Sequence, residues 1–199
     1  MADRYEWRIF ASSLGMPEER LRRRAPVEDI GESEEFYVVS SHCDSENVKV
    51  RHGSLDIKTL VARERGLEQW SPRARLSFPL SAETVRKEVF ELLDVNPPSL
   101  PGGDMDIVTL VEQVLRPSEG VAVVGLFKRR WKFTLADCAC EIADVRANGA
   151  LLRSVCVESE DPDAVLRLAG ELGLDAYENT SYVSALRQVT GLIAPKLPW

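Results

Sequence analysis

A chain of 199 residues is long enough for one domain with a sizeable core, and its 44% hydrophobic and 29% charged residues are ordinary for a globular protein. No run approaches the roughly 18 apolar residues of a membrane-spanning helix, and the N-terminal Met-Ala-Asp-Arg-Tyr-Glu has no apolar core of signal-peptide length, so the expected setting is cytoplasmic, with no membrane partner. A net charge of −7 argues against duplex nucleic acid as a partner, which calls for a broad basic surface.

In chain order, Arg4 to Phe10 reads as a first strand with Tyr5, Trp7 and Ile9 on its apolar face. The polar stretch from Met16 to Glu34, with the cluster Arg22-Arg23-Arg24, reads as an exposed helix or loop of mixed charge. Strands are expected over Glu35 to Ser41, Asn47 to Arg51 and Leu55 to Val61, the last two joined by a tight turn at His52-Gly53-Ser54. A further extended segment runs from Leu67 to Leu80, bent or at an edge because of Pro72 and Pro79. Ser81 caps a helix through about Leu93. The Pro- and Gly-rich stretch at about 96–103 connects the two halves, and a second helix follows from Asp104 or Asp106 to Pro117. Strands return over Val121 to Phe133, Leu135 to Arg146 and Leu151 to Glu160, the last two joined at Asn148-Gly149. Asp161-Pro162-Asp163 starts a helix that Gly173 stops, and a last helix covers Thr180 to Val189.

Each half alone has too little core, so the reading is a single domain over residues 1–199, one sheet closed on itself with helices on its apolar outer faces. The charged faces then line an interior. Five stretches carry this charge at alternate positions: Arg4 to Arg8, Lys49 to Arg51, Arg73 to Arg75, Lys128 to Lys132 and Glu158 to Glu160. Cations prevail on the inferred face, with Lys58 added, against Glu6, Glu141, Glu158 and Glu160. A concentrated positive field inside an acidic protein points to a small, multiply charged anion.

Other chemistries find little support. Cys43, Cys138, Cys140 and Cys156 are too few and irregular for a disulfide scaffold, and with no CxxC they read as reduced thiols and not zinc ligands. No nucleophile motif surrounds the serines, and Gly102-Gly103 lacks the Lys-Ser or Lys-Thr of a phosphate-binding loop. Trp7, Trp70 and Trp131, at strand positions opposite charge, are expected to pack under helices.

The order of these segments resembles the CYTH proteins, the triphosphate tunnel metalloenzymes, over roughly Arg4 to Tyr182. It rests on the charged first strand, Lys49-Val50-Arg51 and Lys58, Lys128-Arg129-Arg130, the Glu141 strand, Glu158-Ser159-Glu160 before a helix, and Leu172-Gly173-Leu174 leading to Thr180-Ser181-Tyr182. The resemblance implies an α+β fold, an eight-stranded antiparallel closed β-barrel, that hydrolyses a triphosphate such as inorganic tripolyphosphate with Mg2+ or Mn2+. It implies phosphate binding by Arg8, Lys49, Arg51, Lys58, Arg75, Lys128 and Arg130, metal ligation by Glu6, Glu141, Glu158 and Glu160, and catalysis through Glu6, Glu158 and Glu160. Two positions depart from the family pattern: Arg4 stands where the first strand usually carries a glutamate, and Ala143 occupies another usual acid. Fewer carboxylates weaken the hold on a hard cation. That leaves open a noncatalytic polyphosphate or nucleotide binder, an adenylate cyclase of the same fold, or an interaction protein with an empty charged face. A homodimer is compatible with all of these.

Overall fold

A computed structural model describes residues 3–196. Eight antiparallel strands close into one barrel: β1 (Arg4–Ala11), β2 (Asp29–Ser40), β3 (Glu46–Arg51), β4 (Ser54–Glu64), β5 (Leu67–Ser77), β6 (Val121–Leu135), β7 (Cys138–Ala147) and β8 (Ala150–Ser159). Their order around the barrel is β1-β5-β4-β3-β2-β6-β7-β8, so strands from both sides of the 96–103 connection form the same sheet. The expected α+β barrel is the observed fold. No helix among the described residues is long and apolar enough to cross a membrane.

Two-residue turns set the hairpins. His52-Gly53 (φ 47° and 71°) and Asn148-Gly149 (φ 47° and 92°) take the paired left-handed conformations that match strand twist. A third such turn, at Ala136-Asp137 (φ 50° and 59°), moves the start of β7 from the expected Leu135 to Cys138. β2 likewise starts earlier than its apolar run suggests. Its polar first half is held by β6, with Asp29 opposite Lys132 and Glu32 opposite Arg129, and cross-strand charge pairing there replaces apolar alternation.

Alternation sorts the side chains into layers. On the outer side of β1, β7 and β8, Ile9, Ile142, Val155 and Val157 pack against Leu21 of α1 (Gly15–Arg24) and Val165, Leu168 and Leu172 of α3 (Pro162–Leu172). Trp7 and Trp131 border this cluster, as expected. Asp161 caps α3 through the Asp163 amide, and Gly173 ends it at φ 81°. Outside β3 and β4, Val48, Val50, Leu55 and Ile57 pack under α2 (Ala82–Val85), the π-helical turn Arg86–Glu91 that continues it, and a second π-helical segment, Thr109–Leu115.

The last helix, α4 (Tyr182–Val189), meets the inner faces instead. Its Tyr182, Ala185 and Leu186 cluster with Phe10, Val124, Leu126, Ala143, Val145 and Leu152, which share strand parity with the charged inner residues. The barrel interior is therefore divided. An apolar plug with α4 closes one end, and the charged residues occupy the other.

Candidate functional site

The charged end encloses a cavity of about 380 Å³, at the lower end of the roughly 300–1,000 Å³ usual for small-ligand sites. Its lining includes seven cations, Arg8, Lys49, Arg51, Lys58, Lys128, Arg130 and Lys132, against four carboxylates, Glu6, Glu28, Glu141 and Glu158. Of the expected phosphate ligands, all but Arg75 line it, and of the expected metal ligands all but Glu160 do.

The two exceptions have local causes. β8 ends at Ser159, and the chain turns away at Asp161 to begin α3, so Glu160 is exposed beyond the strand instead of continuing the inward series Ser154, Cys156, Glu158. On β5 a register irregularity falls opposite Ile57 and Lys58 and skips Arg73, whose guanidinium instead lies 3.4 Å from Glu88 on the covering helix. Arg73 and Arg75 therefore do not form a pair in the cavity. Arg75 is exposed and lies 3.4 Å from Asp56, whose other oxygen accepts from Arg51.

The wall built by β7, β8 and β1 is dominated by Arg8. Its Nε and Nη2 donate to the two oxygens of Glu6, each at 3.1 Å, and its Nη1 donates to Glu141 at 3.1 Å and to the Ser154 hydroxyl at 3.2 Å. The guanidinium also lies 4.7 Å from the centre of the Tyr182 ring. Its main chain is fixed from the far end of the sequence: Asn179 accepts from the Arg8 amide, and the Thr180 amide donates to the Arg8 carbonyl, where β1 has parted from β5. Burial works to raise the Glu6 pKa, but Arg8, joined by Lys58 and Cys156, outweighs it and holds the carboxyl below its usual range. Burial pushes the neighbouring Cys156 thiol well above its ordinary value, so it sits here as a neutral group.

Glu6 is the middle of a row of acids across three strands, opposite Glu158 on β8 and Glu68 on β5. Like charges directly opposite repel, and here each has an arginine. Arg4 donates to Glu158 at 3.0 Å and Arg63 to Glu68 at 3.4 Å, with Arg8 between them. Trp70 also gives its indole N–H to Glu68 at 3.2 Å and lines the cavity, contrary to the expectation that it packs under a helix. The β5 irregularity leaves its ring on the inner face.

The opposite wall, from β4 through β3 and β2 to β6, is built differently. Lys49 and Lys128 converge on one buried carboxylate, Glu35, at 3.4 and 3.2 Å, and both donate to the Tyr37 hydroxyl. Burial would raise the Glu35 pKa, but Lys128 and Lys49 bring it down to about 2. Burial, reinforced by Lys128, pushes Lys49 down to about 7 despite Glu35. The Lys58 ammonium has no hydrogen bond or ion pair to any described residue, the Arg130 Nε is buried without a hydrogen-bond partner, and the Arg130 Nη1 lies 4.0 Å from Glu141.

Glu35, Tyr37, Tyr182, Glu68 and Asn179 belong to this site although the charge alternation does not single them out. Glu35 and Tyr37 share one parity on β2, while Phe36 and Val38 pack outward, and that alternation is the signal available in the sequence.

A divalent Mg2+ or Mn2+, which the resemblance implies, needs several free oxygen ligands. Among the described residues no group of three or more His, Cys, Asp or Glu side chains is placed to hold one. Both oxygens of Glu6 are held by Arg8, those of Glu141 face Arg8 and Arg130, and Arg4 holds Glu158. Ala143, Ser154 and Cys156 fill adjoining inner positions without a carboxylate. This donor set does not fit a hard divalent ion.

No family model and no curated protein sequence matches the chain. Solved structures do. HpAC1 from Hippeastrum, described as an adenylyl cyclase candidate with a dominant triphosphatase activity, aligns over 96% of this chain and 98% of its own at 11% identity, with a TM-score of 0.51. An adenylate cyclase candidate from Bacillus halodurans aligns over 91% of this chain and 95% of its own at 9% identity, with a TM-score of 0.50. The chain shares its barrel fold with these two proteins, in agreement with the fold that the resemblance implies. At these identities the likeness is one of fold.

Proposed function

We propose that this protein binds a small polyphosphate anion, inorganic tripolyphosphate or the triphosphate of an organic molecule, in the charged end of its barrel. One observation carries the reading: the β4-β3-β2-β6 wall gathers Lys49, Arg51, Lys58, Lys128 and Arg130 against two buried carboxylates, Glu35 and Asp56. Such an excess of cations is costly unless an anion offsets it. Arginine supplies a forked donor and lysine a point charge to phosphate oxygens. The reading keeps the cytoplasmic setting expected from the sequence, where the four free thiols would stay reduced.

Calorimetric titration with inorganic tripolyphosphate, monophosphate and sulfate at low and high salt tests it. Binding should rank with ligand charge and weaken with salt. Equal, weak binding of all three would refute it. Hydrolysis of the same anion is the second reading, favoured by the triphosphatase activity described for the Hippeastrum protein of this fold. Phosphate release from tripolyphosphate decides between binding alone and turnover, and a cyclic product from ATP would indicate a cyclase.

A further inference from the structure

The arginines on the acidic wall occupy the place of a cation. A guanidinium carries a fixed positive charge and five N–H donors, and Arg8 directs three of its nitrogens at Glu6, Glu141 and Ser154. Its side chain is 8% exposed, so this charge is part of the interior and not a mobile surface group. The flanking acids of the row each meet a more exposed arginine through one oxygen, Glu158 with Arg4 and Glu68 with Arg63. A divalent ion entering this wall would have to displace Arg8 from Glu6 and Glu141 and leave a guanidinium beside it. Like-charge repulsion and the broken hydrogen bonds both oppose that exchange.

Building on the anion-binding reading, we infer that the cavity takes a polyphosphate free of divalent metal, with Arg8 standing permanently where an ion would otherwise bridge the acidic wall to the ligand. The specificity is then for the bare polyanion. A magnesium complex of the same ligand brings less negative charge to the lysine wall and offers its metal to carboxylates that are already held.

The test measures tripolyphosphate affinity by calorimetry in EDTA and in excess Mg2+, and Mn2+ binding to the ligand-free protein by the disappearance of the free-ion electron paramagnetic resonance signal. Tripolyphosphate should bind in EDTA and about tenfold or more weakly once Mg2+ is in excess, the scale of one charge-assisted hydrogen bond. The wild-type protein should leave the Mn2+ signal unchanged. Binding that requires Mg2+, or Mn2+ uptake by the wild type, overturns the inference while leaving the anion-binding reading intact. No binding in either buffer overturns both. In Arg8→Gln, Glu6 and Glu141 are freed, and the folded variant should now reduce the Mn2+ signal. A folded Arg8→Gln that does not do so overturns the assignment of Arg8 as the ion's replacement. Should that variant not fold, the wild-type measurements decide alone.

Discussion

On the β7-β8-β1 wall, Arg8 reaches Glu6, Glu141 and Ser154, and the neighbouring Glu158 has Arg4. Across the cavity, Lys49 and Lys128 share a single Glu35, and the Lys58 ammonium has no hydrogen-bond or ion-pair partner among the described residues. The same residue types therefore do opposite work. The first wall is internally neutralised and holds the barrel together, whereas the second is left cationic and is available to a ligand. Arginine suits the first task because its fork satisfies both oxygens of a carboxylate, and lysine suits the second because it offers an adaptable point charge.

The largest effect should come from breaking the first wall. Arg8→Met leaves Glu6 and Glu141 with buried, unpaired charge, and chemical denaturation should show a loss of about 3–5 kcal/mol. Lys128→Met removes a comparable cation, but Lys49 remains on Glu35 and a like-charge repulsion disappears, so its cost should stay near 1 kcal/mol. Equal losses for the two variants would erase the distinction between the walls.

Lys58→Ala probes the second wall where it is least committed. Its removal should cost tripolyphosphate about 1.5–3 kcal/mol, an increase in Kd of roughly 10- to 150-fold. Because the substitution breaks no hydrogen bond or ion pair of the Lys58 ammonium with a described residue, stability should change by less than about 0.5 kcal/mol. A destabilised Lys58→Ala with unchanged affinity would show that the residue serves the fold and not the ligand.

The two walls also differ in how far the sequence reveals them. Alternation puts Arg8, Lys49, Lys58, Lys128, Arg130, Glu6, Glu141 and Glu158 on one interior because strand parity is a local property. Turn chemistry at His52-Gly53 and Asn148-Gly149 and the caps at Asp161 and Gly173 are legible for the same reason. Parity does not say where a strand stops or slips. It therefore puts Glu160 inward although β8 ends before it, and Trp70 outward although β5 carries an irregularity. Pairing across the barrel is less accessible still. That Arg8 holds Glu141, 133 positions away, and that Glu35 sits between Lys49 and Lys128, depends on closure of all eight strands. The division of the interior by α4 is also a tertiary outcome, since its apolar residues are equally suited to an outer face.

The pH response should separate the walls by a smaller effect. Around Lys49 lie Glu35 and Tyr37 of β2, Lys128 of β6, Arg51 of β3 and Lys58 of β4. Burial first, and Lys128 second, bring Lys49 to about 7 from an ordinary value near 10.5, so much of it is neutral in the free protein at about pH 8. A bound polyanion favours the ammonium, and binding should take up a proton. Affinity should fall as pH rises above about 7, by at most about tenfold per unit. Titrations in buffers of different ionisation enthalpy read this uptake directly, and Lys49→Met should abolish it. The stability linkage has the opposite sign: the depressed lysine penalises the free fold most below about 7, and the penalty is relieved as pH rises toward 10.5. Glu35, held at about 2, contributes stability that is present above 4.5 and is lost as pH falls toward 2.

The smallest expected effect is at Glu160, and it sharpens the boundary of the site. Glu158 and Glu160 look equivalent in sequence, two residues apart at the end of one strand. Glu158 lines the cavity and accepts from Arg4, whereas Glu160 is exposed beyond the last paired residue of β8. Glu160→Gln should therefore leave tripolyphosphate affinity and stability unchanged within about 0.5 kcal/mol. Glu158→Gln removes a negative charge from the lining and should strengthen anion binding at low salt, an effect that screening reduces as salt is raised. A loss of binding in Glu160→Gln would mean that β8 extends past Ser159 when the ligand is present and carries its alternation one step further into the cavity.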